Sequence, residues 1–382
     1  MKVIDESDNK KTEMNKKNKS PWKKLLIGIL IFIGAIMLVI AAFFCWISVN
    51  EYKPADVEKV EITKEATETL TKGDSFRVMA WNMGYGALGD NADFFMDGGT
   101  SVMSATEERV DINIAGIAGG VLQQDPDFLL LQEVDLNSKR SYYKNEREEL
   151  EMRIPGEYDK TFAYNFKAKY VPYPFPENIG QVEGGILTFS KYKVSDASRI
   201  SLPSPFKWPV RALNLKRCLL VNRIPVQDEN GNSSGKELVL VNVHLEAYDD
   251  GEGKKEQTEI LRSFLQEEYD KGNYVIAGGD FNQTFSNLDV SMYPKYDGMW
   301  HCGEIDVSVF DKDWQFLMDN SYPTCRSLDK PFAGADRDSF QYYMIDGFVV
   351  SKNVEVSNVE TIKAYFAPSD HNPVVIDVKL GD

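Results

Sequence analysis

From Leu25 to Asn50 the chain carries no charged residue, and Ile, Leu, Phe and Ala dominate. At about 1.5 Å rise per residue, a helix of that length crosses a ~30 Å hydrocarbon core with room to tilt. A cleavable secretory signal needs a shorter apolar core, about 7–15 residues, ending in a small-x-small cleavage site. Here Ala41 and Ala42 run into Phe43, Phe44, Cys45 and Trp46, and the residues before Cys45 make no lipoprotein box. The run therefore reads as an uncleaved anchor over 25–50. Eight lysines precede it, whereas Glu51, Asp56 and Glu58 follow. Positive charge stays inside, so a single-pass cell-membrane topology is expected, with a cytoplasmic N-terminus and an extracellular body. Residues 1–24 read as a basic cytoplasmic tail and 51–74, rich in Glu, Lys and Thr, as a stalk. Residues 75–382 read as the folded domain.

A hydrophobic content of 43% over 382 residues is ample for a core. Without the eight lysines and four acids before the anchor's end, 35 basic residues face 55 acidic ones, a net charge of −20. Such a domain has no general attraction for polyanions. That argues against tight nucleic-acid binding, but not against an enzyme that touches nucleic acid through a divalent cation. Cys45, Cys218, Cys302 and Cys325 have no metal-ligand spacing. Outside the cell Cys302 and Cys325 could pair, which sequence does not decide.

Along the domain, short apolar runs alternate with helical patterns. Arg77 to Trp81 reads as a first strand ending at Asn82-Met83-Gly84-Tyr85-Gly86, where the glycines force a loop. Ser104 with Glu107 suggests a capping box, followed by Val110, Ile114, Ile117 and Val121 at helical spacing up to Asp125-Pro126-Asp127. Strands are expected at Phe128–Val134, Gly185–Ser190, Tyr274–Ala277, Tyr343–Val350 and Val374–Val378, and a hairpin at Leu215–Val226 with Glu237–His244. A helix is expected from about Lys255 to Tyr269, ending before Gly272.

Nearly every expected strand ends in a carboxylate, Asn or His: Asn82, Glu133, His244, Asp280 with Asn282, Asp346, and Asp370-His371. Singly, a polar residue at a strand end is a turn former or cap. As a set they match a chemical need, because phosphoester hydrolysis calls for a divalent cation, a base for water, charge stabilisation and an acid for the leaving group. A hard cation such as Mg²⁺ wants one or two carboxylates and waters, which Glu133 suits. A histidine paired with a carboxylate serves as base, as His371 with Asp346 or Asp370 would. The third histidine, His301, has no such context.

The motifs Trp81-Asn82, Gln132-Glu133-Val134, Gly279-Asp280-Phe281-Asn282, Ile345-Asp346-Gly347 and Ser369-Asp370-His371-Asn372-Pro373-Val374, in this order, resemble the endonuclease/exonuclease/phosphatase superfamily over residues 76–380. The resemblance implies an α/β fold, a four-layer αββα sandwich of two mixed sheets flanked by helices, with the site at one end of the sheets. It also implies Glu133 as principal metal ligand with Asn82 beside it, and Asp370 supporting metal or phosphate. Asp280 and Asn282 would orient water and phosphoryl oxygens, and His371 held by Asp346 would be the base or a phosphate contact. The cofactor implied is Mg²⁺, with Mn²⁺ or Ca²⁺ as alternatives.

The chain departs from the apurinic-site endonucleases in having Met83-Gly84 after Asn82 and a histidine at 244. Val243-His244-Leu245 is similar instead to the deoxyribonuclease I, neutral sphingomyelinase and inositol-phosphatase branches, which makes His244 the candidate general acid. Two segments are candidates for shaping the substrate. The aromatic and proline-rich run Tyr164 to Pro176 reads as a packed rigid loop or a rim, and Lys207, Trp208 and Arg211 as contacts to phosphate or substrate. The expected function is hydrolysis of a phosphodiester outside the cell, with nucleic acid favoured and a sphingomyelinase-like phospholipid or an inositol or sugar phosphate as alternatives. A catalytically silent binder would require lost ligands, and none is lost. The membrane is an expected partner through the anchor, and no protein partner is implied.

Overall fold

The computed structural model describes residues 21–249 and 251–381. Most of the expected cytoplasmic tail lies outside the described residues. The chain divides into one unit ending at Asn50 and another running from Glu51 to Asp382. In the first, Pro21–Val49 forms helix α1, whose stretch from Trp22 has a mean hydropathy of 3.1. It is long and apolar enough to cross a membrane, a test that a signal sequence also passes.

The second unit opens with three short strands, β1 (Val57–Lys59), β2 (Ile62–Thr63) and β3 (Leu70–Thr71). They replace the expected stalk. Val60 and Leu70 are buried, and the backbone finds sheet partners, so the polar side chains here belong to edge strands. Next come β4 (Ser75–Asn82), helix α2 (Glu107–Gln124), β5 (Phe128–Asp135) and helix α3 (Glu146–Arg153). The N-cap of α2 is Thr106, which accepts from the Arg109 amide, and not Ser104. The Ser104 hydroxyl is spent on the Asp93 carbonyl instead. Asp125 ends α2 in the left-handed conformation, as the Asp-Pro-Asp signal suggests.

Residues read as a rigid loop are in large part a strand: β6 spans Asp159–Val171, and only the stretch from Pro172 to Ile179 loops before β7 (Gly180–Ser190). Aromatic density misled here, because Tyr164 and Phe166 are spaced for a pleat as well as for a loop. There follow β8 (Asp196–Ser201), the hairpin β9 (Cys218–Gln227) and β10 (Ser233–His244), helix α4 (Glu252–Asp270) and β11 (Tyr274–Asp280). Two small ribbons come next in part: β12 (Gln283–Phe285) with β13 (Gly303–Ile305), then β14 (Trp314–Leu317), and β15 (Cys325–Arg326) with β16 (Tyr342–Tyr343). The chain ends with β17 (Asp346–Ser351), β18 (Val354–Thr361) and β19 (Val374–Leu380).

Two mixed sheets result. One runs β1-β8-β9-β10-β11-β17-β14 with β3 on β9, the other β18-β19-β4-β5-β7-β6-β2. They face each other through an apolar layer in which Val78, Ala80 and Leu130 meet Leu220, Leu240, Ile276 and Phe348. Alternation along each strand sends the remaining residues outward. Trp81, Leu129 and Leu131 pack with Ile114 and Ile117 of α2, and Val241 and Val275 with Leu261 and Leu265 of α4. The architecture is the expected four-layer α/β sandwich.

A polar bridge crosses the apolar layer below the site. Gln132 Nε2 donates to Asn242 Oδ1 at 2.8 Å, while Asn242 Nδ2 donates to the carbonyls of Leu131 and Leu187 at 3.2 and 3.0 Å. Gly279 lies against it with φ +141, and a Cβ there would sit 2.2 Å from the Val243 carbonyl oxygen. Only glycine fits. Asn242→Leu strands these partners in a dry core and is expected to lower the unfolding free energy of the 51–382 unit by about 1–3 kcal/mol, read from urea denaturation. An unchanged or raised midpoint would show that the bridge contributes nothing.

Candidate active site

Strand register assembles the site before any side chain is considered. His244 pairs with Asp280, and Asp280 with Asp346, so three strand termini form one row across the first sheet. In the other sheet Asn82 pairs with Gln132, and Val374, three residues after His371, pairs with Ala80. Parallel strands end and antiparallel ones begin at this same edge, so the polar ends of distant segments converge.

Glu133 does not continue its strand. The β5–β7 register shifts between Leu131 and Val134, and Glu133 takes φ +54. A bulge of this kind re-aims a side chain, here toward the cleft, at a conformational cost the surrounding sheet absorbs. Asn282 likewise has φ +51, held by its amide donating to Asp280 Oδ1 at 2.8 Å.

All eight expected site residues other than the Lys207–Arg211 group come together. Asn82 Nδ2 donates to Asp280 Oδ2 at 3.0 Å and reaches Glu133 Oε1 at 3.4 Å. His371 Nδ1 lies 2.9 Å from Asp346 Oδ2, and its Nε2 lies 3.9 Å from Asp280 and 4.0 Å from Asp370. Of the two carboxylates considered for His371, the hydrogen-bonded one is Asp346. His244 Nε2 is 3.4 Å from Asp280 Oδ2 and 3.8 Å from Glu133 Oε1. The Ser369 hydroxyl donates to the Asn82 carbonyl at 2.8 Å and Trp81 Nε1 to the His371 carbonyl at 2.9 Å, fixing the His371 loop to β4.

Burial and charge set the protonation pattern. Burial, then the neighbouring Asp346, pushes Asp280 up to about 7; burial pushes Asp370 up to about 6, with Glu133 adding and His371 opposing. Burial opposes charge on His371, yet Asp346, Cys325 and Asp370 outweigh it and raise its pKa well above the usual range. Burial and the Arg217 guanidinium keep His244 well below it, and hence neutral near pH 7. The expectation of His244 as a general acid thus meets an imidazole that starts uncharged.

The donor set fits a hard divalent cation. Glu133 acts on Asp370 and Asp346 on Asp280 as like charges, a repulsion that a cation would relieve. Space is kept for this at Gly84, at φ +53, where a Cβ would come within 2.8 Å of Asp370 Oδ1. Two tighter groupings, Asp280-Asp346-His371 and Cys325-Asp370-His371, also bring three ligand atoms together. In the first, His371 Nδ1 is already occupied by Asp346, and the second would need a thiolate although burial raises the Cys325 pKa to about 12. The carboxylate oxygens of Glu133 and Asp370 are the better match, with Asn82 beside them, its Oδ1 accepting from the Gly84 amide at 3.0 Å and its Nδ2 facing Glu133.

The site opens into a cavity of about 580 Å³ walled largely by apolar and aromatic side chains, among them Tyr85, Phe166, Leu215, Tyr248, Trp300 and Tyr343. Lys207, Trp208 and Arg211 are not part of that wall; their neighbours Phe206, Val210 and Leu213 are. Arg211 Nε donates to Glu51 Oε1 at 3.1 Å. Sequence reasoning missed the arginines of the wall: Arg140, which donates to Asp135, Arg326, which donates to the Ser327 and Gly89 carbonyls, and Arg217. Arg217 is 4% exposed and lines the cavity, its Nε and Nη1 have no hydrogen-bond partner, and Glu246 is 3.9 Å away. Its signal was position: it precedes β9, whose Leu219 pairs with Val243 beside His244. His301 is exposed in a loop, and all four cysteines are free thiols, Cys302 and Cys325 included.

The sequence profile of the Endonuclease/Exonuclease/phosphatase family matches residues 79–371. A search of curated proteins by sequence gives no match. Among solved structures, an endonuclease/exonuclease/phosphatase from Beutenbergia cavernae DSM 12333 is similar at TM-score 0.52 and 18% identity, over 80% of this chain and 72% of that one. One from Bacteroides vulgatus is similar at TM-score 0.51 and 17% identity, over 80% and 99%. At such identity the likeness speaks to the fold.

Mg²⁺ or Mn²⁺ is expected to raise the melting temperature of the protein, and Glu133→Ala to lose most of that rise while unfolding cooperatively. A rise that survives the substitution would move the cation away from Glu133.

Proposed function

Because the chain belongs to the endonuclease/exonuclease/phosphatase family, whose members are metal-dependent hydrolases of phosphoester bonds, we propose that it is a membrane-anchored, extracytoplasmic phosphodiesterase whose substrate carries an apolar body beside the phosphate, as a phospholipid does. The observation that carries this is the apolar cavity opening directly from the carboxylate and histidine cluster. A polynucleotide groove would be basic, whereas the chain after Asn50 has a net charge of −20. Nucleic acid keeps one supporting feature, the aromatic wall of Tyr248, Trp300 and Tyr343, on which a base could stack. The anchored topology rests on α1 and the lysines before it.

In this reading Glu133 and Asp370, with Asn82 beside them, would hold a divalent cation, which would supply charge neutralisation at the phosphoryl oxygens. Asp280, restrained by Asn82 and the Asn282 amide, orients the attacking water and accepts its proton. His371 stays an imidazolium through Asp346 and contacts a phosphoryl oxygen with Nε2. His244, uncharged, donates a hydrogen bond through Nε2 to the phosphoryl or leaving oxygen. Arg217, whose Nε and Nη1 have no hydrogen-bond partner, offers those donors to the phosphate from the cavity wall.

Native protein and Glu133→Ala should be compared on sphingomyelin or phosphatidylcholine vesicles, plasmid DNA, RNA and inositol phosphates, with divalent metal or chelator. Metal-dependent release of a lipid headgroup by the native protein alone is the expected result; cleavage of nucleic acid alone would return the substrate to the polynucleotide class. On the cleaved substrate, Arg217→Met should lower kcat/KM about 10–100-fold, the loss of a charge-assisted bond worth ~1.5–3 kcal/mol. Lys207→Met, outside the cavity wall, should be near neutral.

A further inference from the structure

The cavity does not end in a polar mouth. Tyr173 and Val210 line it and are also 65% and 54% exposed, and beside them in sequence Phe175 is 91% and Trp208 49% exposed. Aromatic side chains so open to solvent are costly in water unless something covers them. The segment that carries Tyr173 and Phe175 is braced, with the Ile179 amide donating to the Tyr173 carbonyl at 3.1 Å and the Phe95 ring edge-on to Tyr173 at 5.8 Å.

The same edge receives the chain. The second unit begins at Glu51, whose carboxylate accepts from Arg211 Nε and Lys216 Nζ, both at 3.1 Å, with its side chain 3% exposed. Register fixes which end of the sheet this is. Val57 pairs with Ile200, Ser201 with Cys218, and Leu219 with Val243 next to His244. The point where the apolar segment is joined to the domain and the end that carries the site are therefore one end of the sheet. The β9–β10 turn at Asn230 is at the other, roughly 35 Å away by strand length.

We infer that Tyr173, Phe175, Trp208 and Val210 form a bilayer-docking rim, through which the cleft faces the outer leaflet of the membrane that holds the chain. The inference rests on the anchored reading above. Aromatic rings suit the headgroup boundary, where an apolar body and a polar edge are both satisfied. Docking of this kind is apolar. Arg211 and Lys216 are engaged by Glu51 and the domain is acidic, so the contact draws no attraction from anionic lipid and is not weakened by salt.

The test uses the full chain in lipid nanodiscs, with a polarity-sensitive fluorophore on Phe175→Cys in a Cys45→Ala background and a nitroxide at a shallow acyl position. The Cys45→Ala protein alone measures labelling of the remaining thiols. The 175 probe is expected to be blue-shifted and quenched by the nitroxide in zwitterionic bilayers at low and high salt, and no more strongly in anionic ones, while a probe on Asn230→Cys is not. A probe on native Cys45 reports the anchor separately. Quenching at Cys45 without quenching at 175 would overturn the docking rim and leave the anchor standing. A blue shift at 175 without quenching assigns the rim to a second copy or another protein and overturns it equally. No quenching at either site brings down the anchored reading itself. In parallel, Phe175→Ser should lower turnover of bilayer substrate by roughly tenfold and leave turnover of soluble bis(4-nitrophenyl) phosphate unchanged; equal losses on both would make Phe175 a structural residue.

Discussion

Four carboxylates, Glu133, Asp280, Asp346 and Asp370, converge at one end of the sandwich, three of them buried, and everything else about the site answers their mutual repulsion. Burial first, and then the neighbouring carboxylate, makes Asp280 and Asp370 hold protons more tightly; His371 keeps its own beside Asp346, and Asn82 donates between Glu133 and Asp280. Buried like charges are among the most costly arrangements a protein can make, so they persist only where the scaffold dictates them. Here it does. The row His244, Asp280, Asp346 is a consequence of backbone pairing, and each member is held by a sheet with apolar packing on both faces.

Rigidity at the bottom of the site comes from polar groups in the apolar layer. The Gln132–Asn242 bridge ties β5 to β10 just below Glu133 and His244, so the two sheets cannot slide without breaking it. Behind Glu133, Arg140 donates twice to Asp135 at 2.9 Å and lies over the Tyr85 ring, and Glu146 accepts from the Asp135 amide at 2.7 Å. The strained φ of Glu133 is thus braced on both sides. A carboxylate that must grip a cation is better served by such a frame than by a mobile loop.

Much of this was legible in the sequence because both the fold and the site use short-range rules. Apolar runs of strand length, each closed by one polar residue, named Asn82, Glu133, His244, Asp280, Asp346 and His371 before any coordinates, and their order carried the family. What was not legible depends on pairing partners. Edge strands at 57–71 are polar on their outer side and look like a linker until β8, β6 and β9 supply hydrogen bonds. Strand β6 hid behind the prolines that follow it. Arg217 was overlooked for Arg211 because exposure, not residue type, separates them: one has its guanidinium inside the cavity and the other is spent on Glu51. The neutral state of His244 is likewise a property of its surroundings, since burial and Arg217 set it.

The three short strands within residues 57–71 tie that stretch into the folded body instead of leaving it a free linker. An enzyme on a long flexible leash samples a hemisphere of solution and meets its substrate by three-dimensional diffusion. If anchored as proposed, one whose Glu51 is held by Arg211 and Lys216 searches in two dimensions. In the proposed setting its rate then follows the surface density of substrate and the lateral mobility of lipid rather than bulk concentration. Diluting the substrate lipid with an inert one would slow such an enzyme as effectively as lowering an affinity.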